Sequence, residues 1–339
     1  MHEQLNPRKA AKKPARKVQG KASLGRIYLM SDLLSVADTK FLFHHRFKSG
    51  HSVPVYEALS IHGLNQLLGY AKFINRDYGE VLYRGECRLH DSLAPSLMRG
   101  RMNASKCLEN LKNLTLAIDN DEGFRKFLKL ESKPSEENTA KIESMLQHYG
   151  VPTRYIDLVD NHWVALWMSS NSATKVKAIE EYVKYESRLN THYEIGFQNY
   201  HKEEIGGGWK PNYGYILLVC LPSDTTLTGI GGVYASDSFI KVDLRQALPS
   251  NFLRPHAQHG LLARRRGDDN SDATFYDMSK QVIGVVCGRV DRISSWLGNG
   301  ELLSQSSMFP PPCYDAGYDL LLSRANFFSE LGVSIVKYA

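Results

Sequence analysis

The spacing of apolar residues predicts long helices in the first half of the chain and strands in the second. Three stretches have the three- and four-residue spacing of an amphipathic helix: residues 56–73, 104–130 and 137–149. Apolar runs that suit strands dominate the second half, at residues 215–221, 239–242, 261–262 and 282–286. This order predicts an α+β fold in a single large domain, with a helix-rich N-terminal half and a strand-rich C-terminal half.

Shorter patterns predict several further elements. Residues 26–30 and 80–86 are expected to form strands, and residues 291–297 a short helix. The charged run over residues 175–188 is expected to continue a preceding helix on a solvated face. Residues 191–210, which include three consecutive glycines, are expected to form an excursion or a flexible loop.

Residues with special backbone properties are densest in the segment of residues 146–168. Gly150 permits a turn that residues with a Cβ resist. Pro152 fixes its own φ and pushes the preceding residue toward an extended conformation. The short run that follows, residues 153–158, is therefore expected to form a strand.

This strand is predicted to lead into a helix, and polar side chains surround the junction. Asp160 or Asn161 is placed to cap the helix, whose apolar face begins at Trp163. The side chains capable of polar chemistry at the junction are those of His148, Thr153, Arg154 and Asp157. They form part of a ligand site or they satisfy buried backbone groups, and the junction alone favours neither.

Composition favours a soluble protein of the cytoplasm. The chain has 339 residues, of which 42% are hydrophobic, so it can bury a full core. No apolar run approaches the roughly 20 residues that span a bilayer, and the start lacks the apolar core of a secretory signal. The five cysteines are scattered without a CxxC pair, which argues against a disulfide framework and a zinc site. His44, His45 and His51 have no carboxylate or thiolate at ligand spacing, so no metal site is expected.

The net charge of +6 belongs to the N-terminal segment. Residues 1–22 contain seven basic residues and one acid, whereas the remainder has 35 basic and 35 acidic residues. A Lys- and Arg-rich segment with so few apolar residues is expected to be a disordered tail. Such a tail would bind nucleic acid without sequence preference, or it would only keep the protein soluble.

Three phrases of the sequence together resemble the FRG domain, a bacterial and phage-associated family named for its (F/Y)RG motif. The first is Leu-Tyr-Arg-Gly at residues 82–85, followed by Leu-x-Pro-Ser-Leu-x-Arg at residues 93–99. The second is Gln-His-Tyr-Gly-x-Pro-Thr-Arg-x-x-Asp at residues 147–157, and the third is Arg-Pro-x-x-x-Gln-x-Gly at residues 254–260. Order and spacing match over residues 53–322, so an FRG domain with an N-terminal extension is expected over residues 23–339.

The second phrase departs from the family at its end. The family usually continues Asp-Trp-Thr, whereas this chain has Asp157-Leu158-Val159. No role is therefore transferred from the family to residues 158 and 159. The departure does not change what the resemblance implies for the preceding residues.

A more distant resemblance links the same residues to NAD-dependent ADP-ribosyltransferases. In those enzymes an Arg at the end of a first strand opens the site, and a polar strand-to-helix motif forms its middle. A Glu or Gln on a late strand completes it. Arg84, residues 153–157 and Gln258 follow this order. The resemblance implies a split sheet of the ADP-ribosyltransferase type, with NAD as the substrate.

The resemblance implies a catalytic set of four residues. Arg84 would anchor the pyrophosphate of NAD, because its planar fork binds phosphate in a bidentate way. Gln258 would hold a ribose hydroxyl and the incoming nucleophile. His148, which titrates near neutrality, would act as general base or ribose contact, and Thr153 would be a further ligand contact.

The cofactor-binding residues implied by the resemblance are Tyr83, Gly85, Tyr149, Arg154 and Asp157. Gly85 would let the backbone approach the carboxamide of nicotinamide, and Tyr149 or Tyr155 would stack on its ring. Asp157 would support the site from behind.

Structural alternatives exist for these roles. Arg84 could form a bridge with Asp157, and Gln258 could be an ordinary loop residue. Thr153 could act as a cap, and Asp157 could orient Arg154. Glu301 is an alternative to Gln258 as the third element of the site.

These resemblances imply a toxin or defence enzyme that transfers ADP-ribose from NAD to nucleic acid, with RNA favoured over DNA. An antitoxin protein is expected as a further partner. The arginines at residues 264–266 would steer a polyanion toward the site, unless Asp268 and Asp269 neutralise them. Two alternatives stay open: a non-catalytic module that binds a nucleotide or nucleic acid, and transfer of ADP-ribose to a protein.

Overall fold

The computed structural model describes residues 26–30, 36–99, 104–131, 134–177, 181–190, 212–223, 226–227, 231–267 and 274–338. The basic tail expected at residues 1–22 and the excursion expected at residues 191–210 lie outside these ranges. Asp268 and Asp269, the expected partners of the arginine run, lie outside them as well.

Twelve strands are formed within these ranges. Those of the first half are β1 (Thr39–Arg46), β2 (Ser52–Ala58), β3 (Gly79–Glu86), β4 (Ile156–Val159), β5 (Asn171–Lys177) and β6 (Glu181–Ser187). Those of the second half are β7 (Tyr213–Pro222), β8 (Thr226–Leu227), β9 (Val233–Ala235), β10 (Phe239–Asp243), β11 (Gly260–Arg265) and β12 (Val282–Arg289).

The longer helices precede residue 171. They are α1 (Ile61–Asn75), α2 (Ala104–Asn120), α3 (Glu122–Leu128), α4 (Glu136–His148) and α5 (His162–Ser170). Helices of at most eight residues follow: α6 (Leu244–Ala247), α7 (Leu253–Ala257), α8 (Val290–Trp296), α9 (Gln305–Met308), α10 (Ala316–Ser323) and α11 (Ala325–Glu330). None of the helices in the described ranges has both the length and the apolar content to cross a membrane.

Ten strands form one mixed sheet in the order β1-β2-β12-β7-β3-β4-β11-β10-β9-β8, and β5 and β6 form a separate hairpin. Neighbours in the large sheet are antiparallel except β2 and β12, which are parallel. The predicted α+β fold in a single domain is confirmed.

The sheet is nearly divided between β3 and β4. These strands share one paired position, Tyr83 opposite Val159. By contrast, β3 pairs with β7 from Gly79 to Glu86, and β4 pairs with β11 along its whole length. Two five-stranded halves therefore meet at a single point, which we call the split.

Three apolar cores hold the helices against this sheet. One contains Leu64 of α1 and Ala165 of α5 and covers the half that ends at β3. A second contains Leu114 of α2 and Leu146 of α4 and covers the half that begins at β4. The third is built mainly from strand residues of both halves, so it continues across the split.

The predicted elements are confirmed in part. The strands expected at residues 80–86 and 239–242 are β3 and β10, and the helix expected at residues 137–149 is α4. The strand expected at residues 26–30 is wrong, because the main chain there bonds to the Asn75 side chain instead of to a strand.

The helix expected from residue 56 begins only at Ile61. The Ser60 hydroxyl accepts from the Gly63 N–H at 3.1 Å and caps the helix at this point. Residues 52–58 form β2 instead, and with β1 they make a hairpin that the apolar spacing did not reveal.

Residues 175–188 were expected to continue a helix, but residues 175–177 and 181–187 belong to the paired strands β5 and β6. The Val183 N–H donates to the Lys337 main-chain oxygen at 2.7 Å, and the Tyr185 ring stacks on Phe309 with centroids 4.5 Å apart. These tertiary contacts outweigh the intrinsic helix preference of the lysines and glutamates in the run.

Gly85 is required by the packing of α5 on β3. A Cβ at this position would lie 2.0 Å from the carbonyl oxygen of Ala165 and 2.9 Å from the Cβ of Met168. The helix backbone therefore lies directly on the strand, and this contact fixes α5 beside the split.

Replacing Gly85 with alanine should destabilise the fold by about 1–3 kcal/mol, the usual cost of overpacking a core. Gly69→Ala is the matched control, because Gly69 is exposed within α1 and a Cβ there meets no atom within 4 Å. That change should stabilise the protein by about 0.5–1 kcal/mol, since alanine favours a helix over glycine. Urea denaturation measures both, and equal midpoints for Gly85→Ala and wild type would contradict the close packing.

Candidate functional site

A cleft of about 360 Å³ opens at the split. Much of its polar lining comes from three separated parts of the chain: Arg84 on β3; Gln147, His148 and Asp157 around the start of β4; and Arg254 with Gln258 near α7. The three phrases found in the sequence therefore meet in one place. No group of three or more His, Cys, Asp or Glu side chains that could hold a metal forms within the described ranges, at the cleft or elsewhere.

A glycine turn places the end of α4 at the cleft. Gly150 has φ +93°, a left-handed conformation that glycine adopts readily and that commonly ends a helix. A Cβ at Gly150 would also lie 2.4 Å from the Cγ2 of Val336, so a C-terminal residue packs directly on the turn. The strand that follows begins at Ile156, three residues later than predicted.

Thr153 belongs to a chain of hydrogen bonds behind the polar wall of the cleft. Its hydroxyl donates to Gln147 Oε1 at 2.8 Å and accepts from the Tyr155 N–H at 3.1 Å. Gln147 Nε2 in turn donates to Asp157 Oδ2 at 2.8 Å. Thr153 is fully buried and does not line the cleft, so it orients Gln147.

Arg84 bridges the two sides of the split. Its Nη1 donates to the main-chain oxygen of Asp157 at 2.9 Å, and its Nε donates to Glu86 Oε1 at 2.6 Å. The Asp157 carboxylate lies 3.8 Å from Nη1. Burial opposes the charge, but the two carboxylates outweigh burial and raise the pKa of Arg84. The bridge to Asp157 is present, and Nη2 has no hydrogen-bond partner in the described part of the chain.

His148 lines the cleft and has one unpaired ring nitrogen. The residue is 7% exposed, and its ring bonds to the main chain of Arg254. Nε2 has no partner among the described residues. Burial, reinforced by the Arg254 charge, holds the pKa of His148 well below its usual value. The ring is therefore neutral near pH 7, and Nε2 is free to accept a hydrogen bond or a proton.

Gln258 reaches the cleft from the end of α7. Its Nε2 donates to the Met308 main-chain oxygen at 2.7 Å, which fixes the orientation of the amide. Oε1 then has no partner in the described ranges. The next residue, His259, has φ +50°, which is uncommon for a residue with a Cβ, and its ring contacts Asp160 at 3.2 Å. This tight turn positions Gln258 between α7 and β11.

Two residues expected to contact the cofactor lie away from the cleft. Arg154 forms a buried ion pair with Glu143, with Nη2 and Oε2 2.8 Å apart, and not with Asp157 as considered above. Tyr149 is fully buried, and its hydroxyl donates to Asp315 Oδ2 at 2.9 Å. Both side chains are occupied by internal partners, which explains why they do not line the cleft.

Tyr83 and Gly85 line the cleft, and packing holds both in place. Tyr83 is 2% exposed, and the Lys72 ammonium lies 5.0 Å from the centre of its ring. Burial raises the pKa of its hydroxyl. The contact of Gly85 with α5 already accounts for a glycine at that position, without a ligand.

The remaining candidates from the sequence lie outside the lining. Tyr155 is fully buried, with the Arg264 guanidinium 5.5 Å from its ring centre, and burial raises the pKa of Tyr155 to about 12. Arg264 is buried and Arg266 pairs with Glu136 at 2.6 Å, so the arginine run is not a free cationic patch. Glu301 is exposed and does not reach the cleft.

Arg254 and the aromatic residues around it were not among the candidates predicted from the sequence. Arg254 stands in the third phrase, yet nothing in that phrase marks it as different from a structural arginine. Tyr338, Phe309 and Tyr185 line the cleft from distant segments that carry no motif. Arg254 stands six residues before Gly260, the first paired residue of β11, but its surroundings depend on the C-terminal segment.

Residues 79–178 match the family model of the FRG domain. The match includes the first two phrases and supports the resemblance to this family over that range, whereas the third phrase lies beyond it. No curated protein and no solved structure gives a significant match to the chain.

Glu143→Gln should destabilise the protein by about 3–5 kcal/mol, because it leaves the Arg154 charge buried without its partner. Urea denaturation measures the change. Combining Glu143→Leu with Arg154→Met should recover much of the loss, since both buried charges are then absent. A loss below about 1 kcal/mol for the single variant would contradict the structural role of this pair.

The low pKa of His148 predicts a loss of stability in acid. Its folded-state pKa lies below the unfolded value of about 6.5, so the unfolded state binds the proton first as the pH falls. The contribution of His148 is therefore complete above this unfolded value and declines as the pH drops below it. An NMR titration should place the ring midpoint below 6.5, and a midpoint at or above 6.5 would contradict the burial.

Proposed function

We propose that the protein is an ADP-ribosyltransferase-like enzyme whose cleft binds NAD and transfers ADP-ribose to nucleic acid. The observation that supports this most strongly is the convergence of Arg84, His148 and Gln258, from three separate phrases, on one cleft at the split. The FRG match over residues 79–178 and the ordered resemblance to ADP-ribosyltransferases give the proposal its reaction class.

The proposed reaction breaks the bond between the nicotinamide nitrogen and C1′ of the ribose. Nicotinamide leaves with the bonding electron pair, and positive charge develops on the ribose. A nucleophile of the acceptor then bonds to C1′ and gives up its proton. His148 Nε2, neutral and unpaired, is suited to accept from a ribose hydroxyl, and Gln258 Oε1 is suited to hold the incoming nucleophile, whose proton passes to solvent.

Arg84 and Thr153 have indirect roles in this proposal. Arg84 fixes the distance between β3 and β4 through Asp157, and only its Nη2 remains for a ligand. Thr153 acts through Gln147, whose amide it orients. The polar wall is then rigid before the substrate arrives, which is what electrostatic stabilisation of a transition state requires.

The acceptor proposed is nucleic acid, with RNA placed before DNA. Support comes from the seven basic residues of the first 22, because the rest of the chain is formally neutral. A role as a toxin or defence enzyme, and an antitoxin as partner, rest on the resemblance alone. A protein acceptor is the alternative.

A non-catalytic nucleotide-binding module is the second candidate. It is favoured by the observation that Arg84, Glu86, Asp157, Gln147 and Thr153 are largely satisfied by one another. Because these side chains already bond to one another, they can shape a binding site without taking part in a reaction.

Incubation of the purified protein with labelled NAD and separately with RNA, DNA or protein tests the proposal. Wild type should transfer label to RNA, and His148→Ala or Gln258→Ala should slow transfer by about 10²–10³-fold, as for a lost transition-state contact. His256→Ala, an exposed change on α7, should leave the rate unchanged.

Absence of labelled product with every acceptor would remove the enzyme assignment. If NAD still binds wild type and Gln258→Ala equally, without a product by mass spectrometry, the binding module is the better description. If label were found on protein alone, the acceptor would be protein instead of nucleic acid, and the reaction would still be ADP-ribosyl transfer.

A further inference from the structure

Arg254 carries a buried positive charge that no acid neutralises. The residue is 5% exposed, and its Nε and Nη1 have no hydrogen-bond partner among the described residues. No carboxylate in those ranges lies within 4.0 Å of its guanidinium nitrogens. Its polar side-chain neighbours are uncharged hydroxyls, those of Tyr338, Tyr185 and Tyr149. An isolated buried charge is costly, so its presence calls for an explanation.

Two other buried arginines in the described ranges have strong partners, whereas Arg264 keeps an unpaired Nε but lies outside the cleft. Arg154 is paired with Glu143 at 2.8 Å. Arg188 donates to the main-chain oxygens of Ser169 and Tyr213 at 2.7 and 2.9 Å. Arg254 differs from both in lining the cleft while keeping unpaired N–H groups.

Aromatic rings hold the Arg254 guanidinium without neutralising it. Its central carbon lies 4.1 Å from the ring centre of Tyr338, 4.5 Å from that of Phe309 and 5.4 Å from that of Tyr149. Rings stabilise a cation through their faces and leave its charge available at the rim of the guanidinium plane. We call these three residues the aromatic cage.

Asp315, the acid that contacts the Arg254 main chain, bonds to other groups. Its Oδ2 accepts from the Tyr149 hydroxyl at 2.9 Å and from the main-chain N–H of Arg254 at 3.1 Å. Its Oδ1 accepts from the Tyr318 N–H at 2.9 Å, where it caps α10. Asp315 therefore positions the backbone of Arg254 and the cage, and leaves the guanidinium without a counter-charge.

The two arginines of the cleft are in opposite electrostatic states. Arg84 has Glu86 at 2.6 Å and Asp157 at 3.8 Å, so its charge is already balanced. Arg254 has no such partner, and the neighbouring His148 is neutral with a free Nε2. An anion that enters the cleft would gain more from Arg254 than from Arg84.

We infer that Arg254, held in the aromatic cage, is the anion-binding residue of the cleft, and that the ligand places a phosphate or diphosphate there with a sugar hydroxyl on His148. The inference deepens the proposed function and rests on it for the identity of the ligand as a nucleotide. It moves the phosphate anchor from Arg84, where the sequence suggested it, to Arg254. Arg84 is then a positioning residue of the split.

Calorimetric titration of the full chain tests the inference with three probes: ADP-ribose, inorganic pyrophosphate and adenosine. Arg254→Met should weaken ADP-ribose and pyrophosphate binding by about 10- to 100-fold, as expected for lost hydrogen bonds to a charged group. Adenosine, which has no phosphate, should bind wild type and variant equally. Arg264→Met is the matched control, because Arg264 is 3% exposed and lies outside the cleft, and it should bind all three probes like wild type.

Thermal unfolding separates this role from a structural one. If Arg254 serves a ligand, Arg254→Met without ligand should unfold at or above the wild-type temperature, because it removes an uncompensated buried charge. A variant that unfolds well below wild type would show that the charge serves the fold and would overturn the inference. Arg254→Lys retains a charge but loses the planar fork, so it should lower pyrophosphate affinity several-fold while remaining folded.

Equal affinity of wild type, Arg254→Met and Arg254→Lys for ADP-ribose and pyrophosphate would overturn the inference even if label transfer from NAD succeeds. The inference would also be overturned if wild type bound neither ADP-ribose nor pyrophosphate. Arg254-dependent binding of pyrophosphate without any label transfer would uphold the anion site and reject the proposed enzyme. Failure of the anion site and failure of the proposed enzyme are thus distinguishable.

Discussion

The single pairing between β3 and β4 is the constraint on which the rest of the site depends. A continuous ladder at this point would close the sheet and leave no room for a cleft. Here Tyr83 opposite Val159 is the one paired position, and beyond it the Arg84 side chain spans the gap to the Asp157 main-chain oxygen. A side chain thus replaces ladder hydrogen bonds, and the backbone edges that it keeps apart form the walls of the cleft.

The polar groups around the split fall into two sets with different physical roles. Arg84, Asp157, Gln147 and Thr153 bond to one another, which fixes the wall and leaves little hydrogen-bonding capacity for a ligand. His148, Gln258 and Arg254 each keep an unpaired atom within the described structure. Buried polar atoms are rarely left unpaired without a reason, so the second set is where a ligand would gain most.

Local sequence features predicted the main elements and identified three phrases whose residues line the cleft. Gly150, Pro152 and the cap at Asn161 act on their immediate neighbours, so the α4–β4–α5 junction was recognisable. The ion-pair partner of Arg154 was not recognisable. Arg154 pairs with Glu143 of the preceding helix, and this pairing depends on how the helix packs. The environment of Arg254 depends on Tyr338, far away in the chain, and no local pattern encodes such a contact.

A crystal structure of the protein with ADP-ribose tests the central claim most directly. The account predicts ligand density in the cleft between β3 and β4. Its diphosphate should lie within hydrogen-bond distance of Arg254, and a ribose hydroxyl should lie near His148 Nε2. Density at another surface, or a diphosphate bound to Arg84 with the Arg254 guanidinium still unpaired in its cage, would contradict the account.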